Sequence, residues 1–245
     1  MKESGGPSVI VAFDHAPLGL LPGLDRMDTL LREFAAQPLA GIIVNYGVLK
    51  RLSRENPQPS VNPIVRLDGN RTVLGGDWTR SAEWELFYRA DACQQLGARA
   101  AVVNLLLGGP AELLSLKVVA QAVLACQNAG LPLLVSAMCL ATTDTEEIGY
   151  SHQAFSARIA YEMGADMVNV YSAVDGAVIR EVRQWCPLPL YAQGAPASEG
   201  AATLSRWARE CVLAGAQGVV VGKSIWQHPD PTERLRVLIT ELARP

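Results

Sequence analysis

Short β-branched runs alternate with longer amphipathic runs along almost the whole chain, and few folds accept that order. The runs at 9–14 (VIVAFD), 41–45 (GIIVN), 64–67 (IVRL), 99–105 (RAAVVNL), 132–137 (PLLVSA), 166–171 (DMVNVY), 188–193 (LPLYAQ) and 218–222 (GVVVG) predict eight strands. Amphipathic segments at 24–36, 80–96, 111–129, 150–163, 174–184, 199–214 and 231–243 predict helices between and after them. Strands that alternate with helices pair in parallel, because each crossover returns the chain to the same sheet edge. Eight such units in 245 residues predict a (β/α)8 barrel of the TIM type, with a doubly wound open sheet as the structural alternative. Residues 46–63 are the weak link, with one short helical turn at most and then a Pro-rich loop. No linker or composition break divides the chain, so 1–245 reads as a single domain.

Composition narrows the chemistry. Hydrophobic residues make up 49% and charged residues 18%, enough to bury a core. A net charge of −3 provides no basic face for nucleic acid. No run of about 18 apolar residues is present to span a membrane. The first residues lack the pattern of a signal peptide. Five scattered cysteines without a C-x-x-C pair fit a reducing compartment, so the expected location is the cytoplasm. Three histidines and four lysines leave few groups for bases, metal ligands or imine-forming amines. The acidic residues Asp144, Glu146 and Glu147 lack chelating partners at metal-site spacing and read as a solvated run, so no metal is expected.

Strand phase places the polar candidates. Val168 and Val170 share the apolar face of their strand, which puts Asn169 and Tyr171 toward the barrel axis. The same logic puts Asn45, Asn104 and Gln193 near strand C-termini, the end of a barrel that carries chemistry. Asp14 closes the first strand, where a carboxylate can act as a base or orient a substrate hydroxyl; capping the following turn is the plainer role. His15 follows it and points elsewhere unless the chain has already turned. After strand eight, the backbone of Gly222, Lys223 and Ser224 can cradle a phosphate, and Lys223 adds charge. This is not a Walker loop, because Gln217 stands where that motif needs glycine.

AFDHAPLG at strand one, VVNLLLGG at strand four, SHQAFSARIAYEMGADMVNVYS through strand six and GVVVGKSIWQHPDP at strand eight occur in a familiar order. Together they resemble the archaeal-type class I fructose-bisphosphate aldolases, most closely the branch of the autoinducer-2 phosphate thiolase/aldolase. The resemblance covers about residues 9–235. It implies a (β/α)8 barrel, a small phosphorylated sugar-like ketone as substrate, no organic cofactor, and assembly into a homo-oligomer. It assigns Asp14 to the active site and Gly194 and Gly222 to the phosphate loops. Lys223 stands where the family usually has arginine.

One departure governs the functional reading. The family's Schiff-base lysine lies in the pattern G-A-D-x-V-K, and here Gly164-Ala165-Asp166-Met167-Val168-Asn169 ends in asparagine. An amide forms no imine with a ketone. The main expectation is therefore an aldolase-type enzyme without a Schiff base. Asp14 and His15 would work beside Asn169, and Asn45, Asn104 and Gln193 would donate hydrogen bonds to a carbonyl or enolate oxygen. Two alternatives stand beside it. One is a non-catalytic phosphosugar-binding protein; the other is an aldolase whose imine has moved to Lys223.

Overall fold

The computed structural model describes residues 7–55, 61–140, 151–171, 176–194 and 201–244. Eight parallel strands close into a barrel: β1 Ser8–Ala12, β2 Gly41–Val44, β3 Pro63–Arg66, β4 Ala100–Leu107, β5 Leu133–Cys139, β6 Met167–Tyr171, β7 Leu190–Gln193 and β8 Gly218–Val221. Helices α1 Met27–Ala35, α2 Tyr46–Glu55, α3 Ala90–Gln95, α4 Glu112–Ala129, α5 His152–Glu162, α6 Ala177–Trp185, α7 Ala201–Leu213, a short α8 Lys223–Trp226 and α9 Pro231–Leu242 follow the strands. The barrel closes where β1 pairs with β8 and Ser8 faces Gly218. A Cβ at Gly218 would collide with the Ser8 carbonyl, so only glycine fits that seam.

Each strand is buried on both faces, as a barrel enclosed by helices requires. Val9, Val11, Val65, Val103, Val168 and Val219 point outward into the layer shared with the helices. Ile10, Ile43, Ile64, Leu134, Met167 and Tyr191 fill the axis. At the rate of about 25 cal/mol per Å² of apolar surface, these two layers supply most of the drive to fold.

Two expectations fail. Residues 46–63 do not hold a single turn: α2 runs for ten residues, with Leu49 buried. Its charged outer face, Lys50, Arg51, Arg54 and Glu55, masks the apolar spacing that marks a helix. Conversely, 80–96 is not one helix, because α3 covers only Ala90–Gln95. Glu85–Leu86 pairs antiparallel with Asp68–Gly69 in a two-stranded ribbon outside the barrel. The aromatic run around Trp84 and Phe87 belongs to that ribbon and its flanks.

Candidate active site

The inward face of the barrel changes character toward the C-terminal end of each strand. In every strand the apolar residues that fill the axis give way, two positions on, to a polar one or a glycine. Ala12 leads to Asp14, Ile43 to Asn45, Ile64 to Arg66 and Val102 to Asn104. Leu134 leads to Ser136, Met167 to Asn169, Tyr191 to Gln193 and Val220 to Gly222. Strand periodicity puts all eight on one ring facing the axis. Above them opens a cavity of about 660 Å³. Its lining includes Asp14, His15, Asn45, Asn104, Asn169 and Gln193. Gly194, Gly222, Lys223 and Ser224 line it as well, so all ten residues named from the sequence meet in one space.

Arg66 organises the β1/β3/β4 side and was not among those ten. Its Nε and Nη2 donate to Asp14 Oδ2 at 2.9 and 2.8 Å. Its Nη1 donates to Asp68 Oδ1 at 3.1 Å and to Asn104 Oδ1 at 2.9 Å. The second Asp68 oxygen accepts from the Trp84 indole at 2.8 Å and from the Asn104 amide at 2.7 Å. The signal was present in the sequence: Ile64, Arg66 and Asp68 recur with period two, so a charged pair shares the axial face of an apolar strand.

Electrostatics assign states to these groups. Burial works to raise the Asp14 carboxyl, but Arg66 and His15 outweigh it and hold Asp14 below its ordinary value. Asp14 is therefore a carboxylate at neutral pH, with Oδ1 left outside the Arg66 clamp. Burial pushes Asp68 upward against the Arg66 charge. Burial also lowers His15; Asp14 offsets part of that, and the Lys223 and Arg66 charges lower it further. His15 is therefore neutral. The chain has already turned at His15, whose backbone is helical (φ −87°, ψ −2°). That turn brings its Nδ1 to 3.6 Å from Asp14 Oδ1 and its ring edge-on to Trp226.

The β5/β6/β7 side is sparser. Asn169 is 1% exposed and its Nδ2 donates to Ser136 Oγ at 3.1 Å. Gln193 Nε2 reaches the same hydroxyl at 3.4 Å. Asn169 Oδ1 is buried and has no partner. Val168 and Val170 pack outward as the strand phase predicts, and Tyr171 stands half exposed at the rim. Gly194 has φ +97°, and a Cβ there would strike the Tyr171 ring, so its glycine is required twice over.

Lysines are scarce here too. Lys50 and Lys117 are exposed on α2 and α4, outside the cavity lining. Among the described residues, Lys223 is the one lysine that lines it. No disulfide joins the five cysteines. Burial pushes the Cys93 thiol to about 11 and Cys126 to about 12, so neither is a ready nucleophile. Asp144, Glu146, Glu147, Ser198 and Glu199 lie outside the described residues. Among the described residues no group of three His, Cys, Asp or Glu side chains gathers as a metal site would require, and no helix is long and apolar enough to cross a membrane.

Comparison with known proteins agrees with this geometry. A Schiff-base-forming fructose-1,6-bisphosphate aldolase of known structure shares the fold with a TM-score of 0.82. It is 23% identical, and the match covers 98% of this chain and 96% of that one. The 2-amino-4,5-dihydroxy-6-oxo-7-(phosphonooxy)heptanoate synthase of Streptomyces griseus is 26% identical over 223 residues, 91% of this chain and 80% of that protein. The 3-hydroxy-5-phosphonooxypentane-2,4-dione thiolase of Salmonella typhimurium is 26% identical over 239 residues, 94% of this chain and 75% of that protein. The DeoC/LacD family aldolase profile matches residues 8–228, nearly the whole barrel, and the chain belongs to that family.

Proposed function

We propose that this protein performs carbonyl chemistry on a phosphorylated, sugar-like ketone without forming a Schiff base. Carbon–carbon cleavage or formation, acyl cleavage and isomerisation all pass through the enolate such a site would stabilise. The carrying observation is position 169. The inward place above Met167 holds an amide, and among the described residues Lys223 is the only amine lining the cavity. An anion bound beside Lys223 would engage its ammonium in an ion pair, which competes with attack on a ketone. The names of the Streptomyces and Salmonella relatives both place a phosphonooxy group on the carbon next to a ketone.

In this reading Lys223 takes the phosphate with the backbone of Gly194 and of Gly222–Ser224. The ketone then lies over the ring of Asn45, Asn104, Asn169 and Gln193. These neutral donors hold developing negative charge on its oxygen, each worth about 100-fold in rate. Asp14 Oδ1 removes the proton from the carbon beside the carbonyl. Neutral His15 exchanges that proton with Asp14 or with the leaving fragment. Arg66 keeps Asp14 ionised and aimed. The working form is read as a cytoplasmic homo-oligomer, supported by Leu124, Trp185 and Leu213 exposed on the outer helices.

The test is dihydroxyacetone phosphate in deuterated water, followed by proton NMR, with parallel samples treated with borohydride. The expected result is exchange of the hydroxymethyl protons with no reduced adduct by mass spectrometry. Asp14→Asn should slow that exchange by about 100-fold or more. An adduct on Lys223 would establish a relocated imine. Ligand-dependent thermal stabilisation, with neither exchange nor turnover on a phosphosugar panel, would leave a binding protein.

A further inference from the structure

The two sides of the cavity mouth differ in chemistry. β3 and β7 stand opposite each other in the closed barrel, four strands apart in either direction. The loops after β7 and β8 carry Gly194 and Lys223. The connection after β3, residues 67–89, instead brings Trp78, Trp84, Phe87 and Tyr88 to the cavity, and Leu18 joins them from the connection after β1. Phe87 is 52% exposed and Tyr88 38%, an unusual outlay of ring surface on a wall that faces a polar ring of side chains.

That wall is held in place. Gly69 admits the Phe87 ring, which a Cβ there would meet at 2.7 Å. Tyr88 stacks on Tyr46 at 4.6 Å, and Trp78 lies 6.1 Å from Trp84. Trp84 is bonded in turn to Asp68, and Asp68 to Arg66. The rings are thus fixed relative to Asp14.

Charge on this side is already committed. Residues 67–89 contain three arginines and four carboxylates. Arg71 pairs with Glu83, Arg80 with Asp77 and Arg89 with Asp91. Arg66 is spent on Asp14 and Asp68. Residues 141–150, 172–175 and 195–200, which follow β5, β6 and β7 in sequence, contain no Lys, Arg or His. Among the described residues that line the cavity, one phosphate finds an uncommitted cation at Lys223, and a second would have to break the Arg71–Glu83 pair. A cavity of about 660 Å³ is nonetheless of the size that encloses ligands well beyond a triose.

We infer that the substrate carries a single phosphate and, at its far end, an uncharged apolar or aromatic group that packs on the rings after β3. This rests on the phosphonooxy-ketone reading given above. The fragment joined to or released from the phosphorylated ketone is then an apolar aldehyde or acyl group, and bisphosphates are poor ligands.

Three amides of phosphoglycolic acid test it by calorimetry on the full chain: N-methyl, N-benzyl and N-(2-phosphonooxyethyl). Benzyl should bind roughly tenfold tighter than methyl, from the ring area it buries. The phosphonooxyethyl amide should bind no tighter than methyl. In Phe87→Ala the benzyl-to-methyl ratio should fall toward unity, while Phe87→Leu, which keeps apolar surface, should retain most of it. Methyl binding without a benzyl gain would overturn the apolar end alone. Tighter binding of the phosphonooxyethyl amide would overturn the single-phosphate inference. Failure of the methyl amide to bind at all would remove the phosphate seat, and the reading on which the inference rests would fall first.

Discussion

On the β1/β3/β4 side of the axis, every nitrogen of Arg66 and both oxygens of Asp68 have partners. On the β5/β6/β7 side, two amides share one hydroxyl, the longer contact is 3.4 Å, and Asn169 Oδ1 has no partner. Both clusters face the barrel axis and line the same cavity. The difference separates scaffold from receptor. A saturated buried network fixes geometry and ionisation, because its members have nowhere else to bond. An unsaturated one keeps a desolvation cost that an incoming ligand can relieve.

The sharpest way to break that comparison is Arg66→Met. It leaves two buried carboxylates without their cation, and stability in urea should fall by about 3–5 kcal/mol at neutral pH. The variant's Asp14 and Asp68 would titrate above their unfolded values. The deficit should therefore be complete above those raised values and shrink as pH falls and both protonate. A loss under about 1 kcal/mol at pH 7 would mean the network is not a scaffold.

Asn169→Leu probes the other side. Removing a half-satisfied amide from an apolar barrel should leave stability within about 1 kcal/mol of the parent. Proton exchange on the phosphorylated ketone should drop about 100-fold. A large stability loss with undiminished exchange would reverse the two roles. The smallest effect belongs to His15, which sits between the clusters. Its folded value lies below the ordinary 6.5, so the unfolded chain binds more protons in the window beneath 6.5. Stability should therefore decline as pH falls through that window, and His15→Gln should flatten the decline. An unchanged slope in thermal melts between pH 5 and 7 would show that His15 is not desolvated.

The barrel was legible because its signal is repeated: eight strands each offer an apolar run, and an error in one leaves the other seven. The ring of polar side chains was legible for the same reason, since period two fixes which residues near each strand's end face the axis. Arg66 escaped because strand-end position marks polar residues one at a time, whereas its role depends on contacts to Asp14 and Asn104 from other strands. The ribbon after β3 escaped because Trp84 and Phe87 sit at helix-like spacing, and only its pairing with Asp68–Gly69 distinguishes the two. α2 was lost beneath its own charge.

The seam at Gly218 has a meaning in time. Ser8 and Gly218 are the first and last strands' points of contact, so their pairing closes nearly the whole chain into one loop. Loop-closure entropy grows only with the logarithm of length, so the equilibrium cost is modest. The rate is another matter, because contacts this distant in sequence form late. Asp14 follows β1 and Lys223 follows β8, so the two lie on opposite flanks of that seam. Asp14 and Lys223 therefore come to line one cavity only when the barrel shuts.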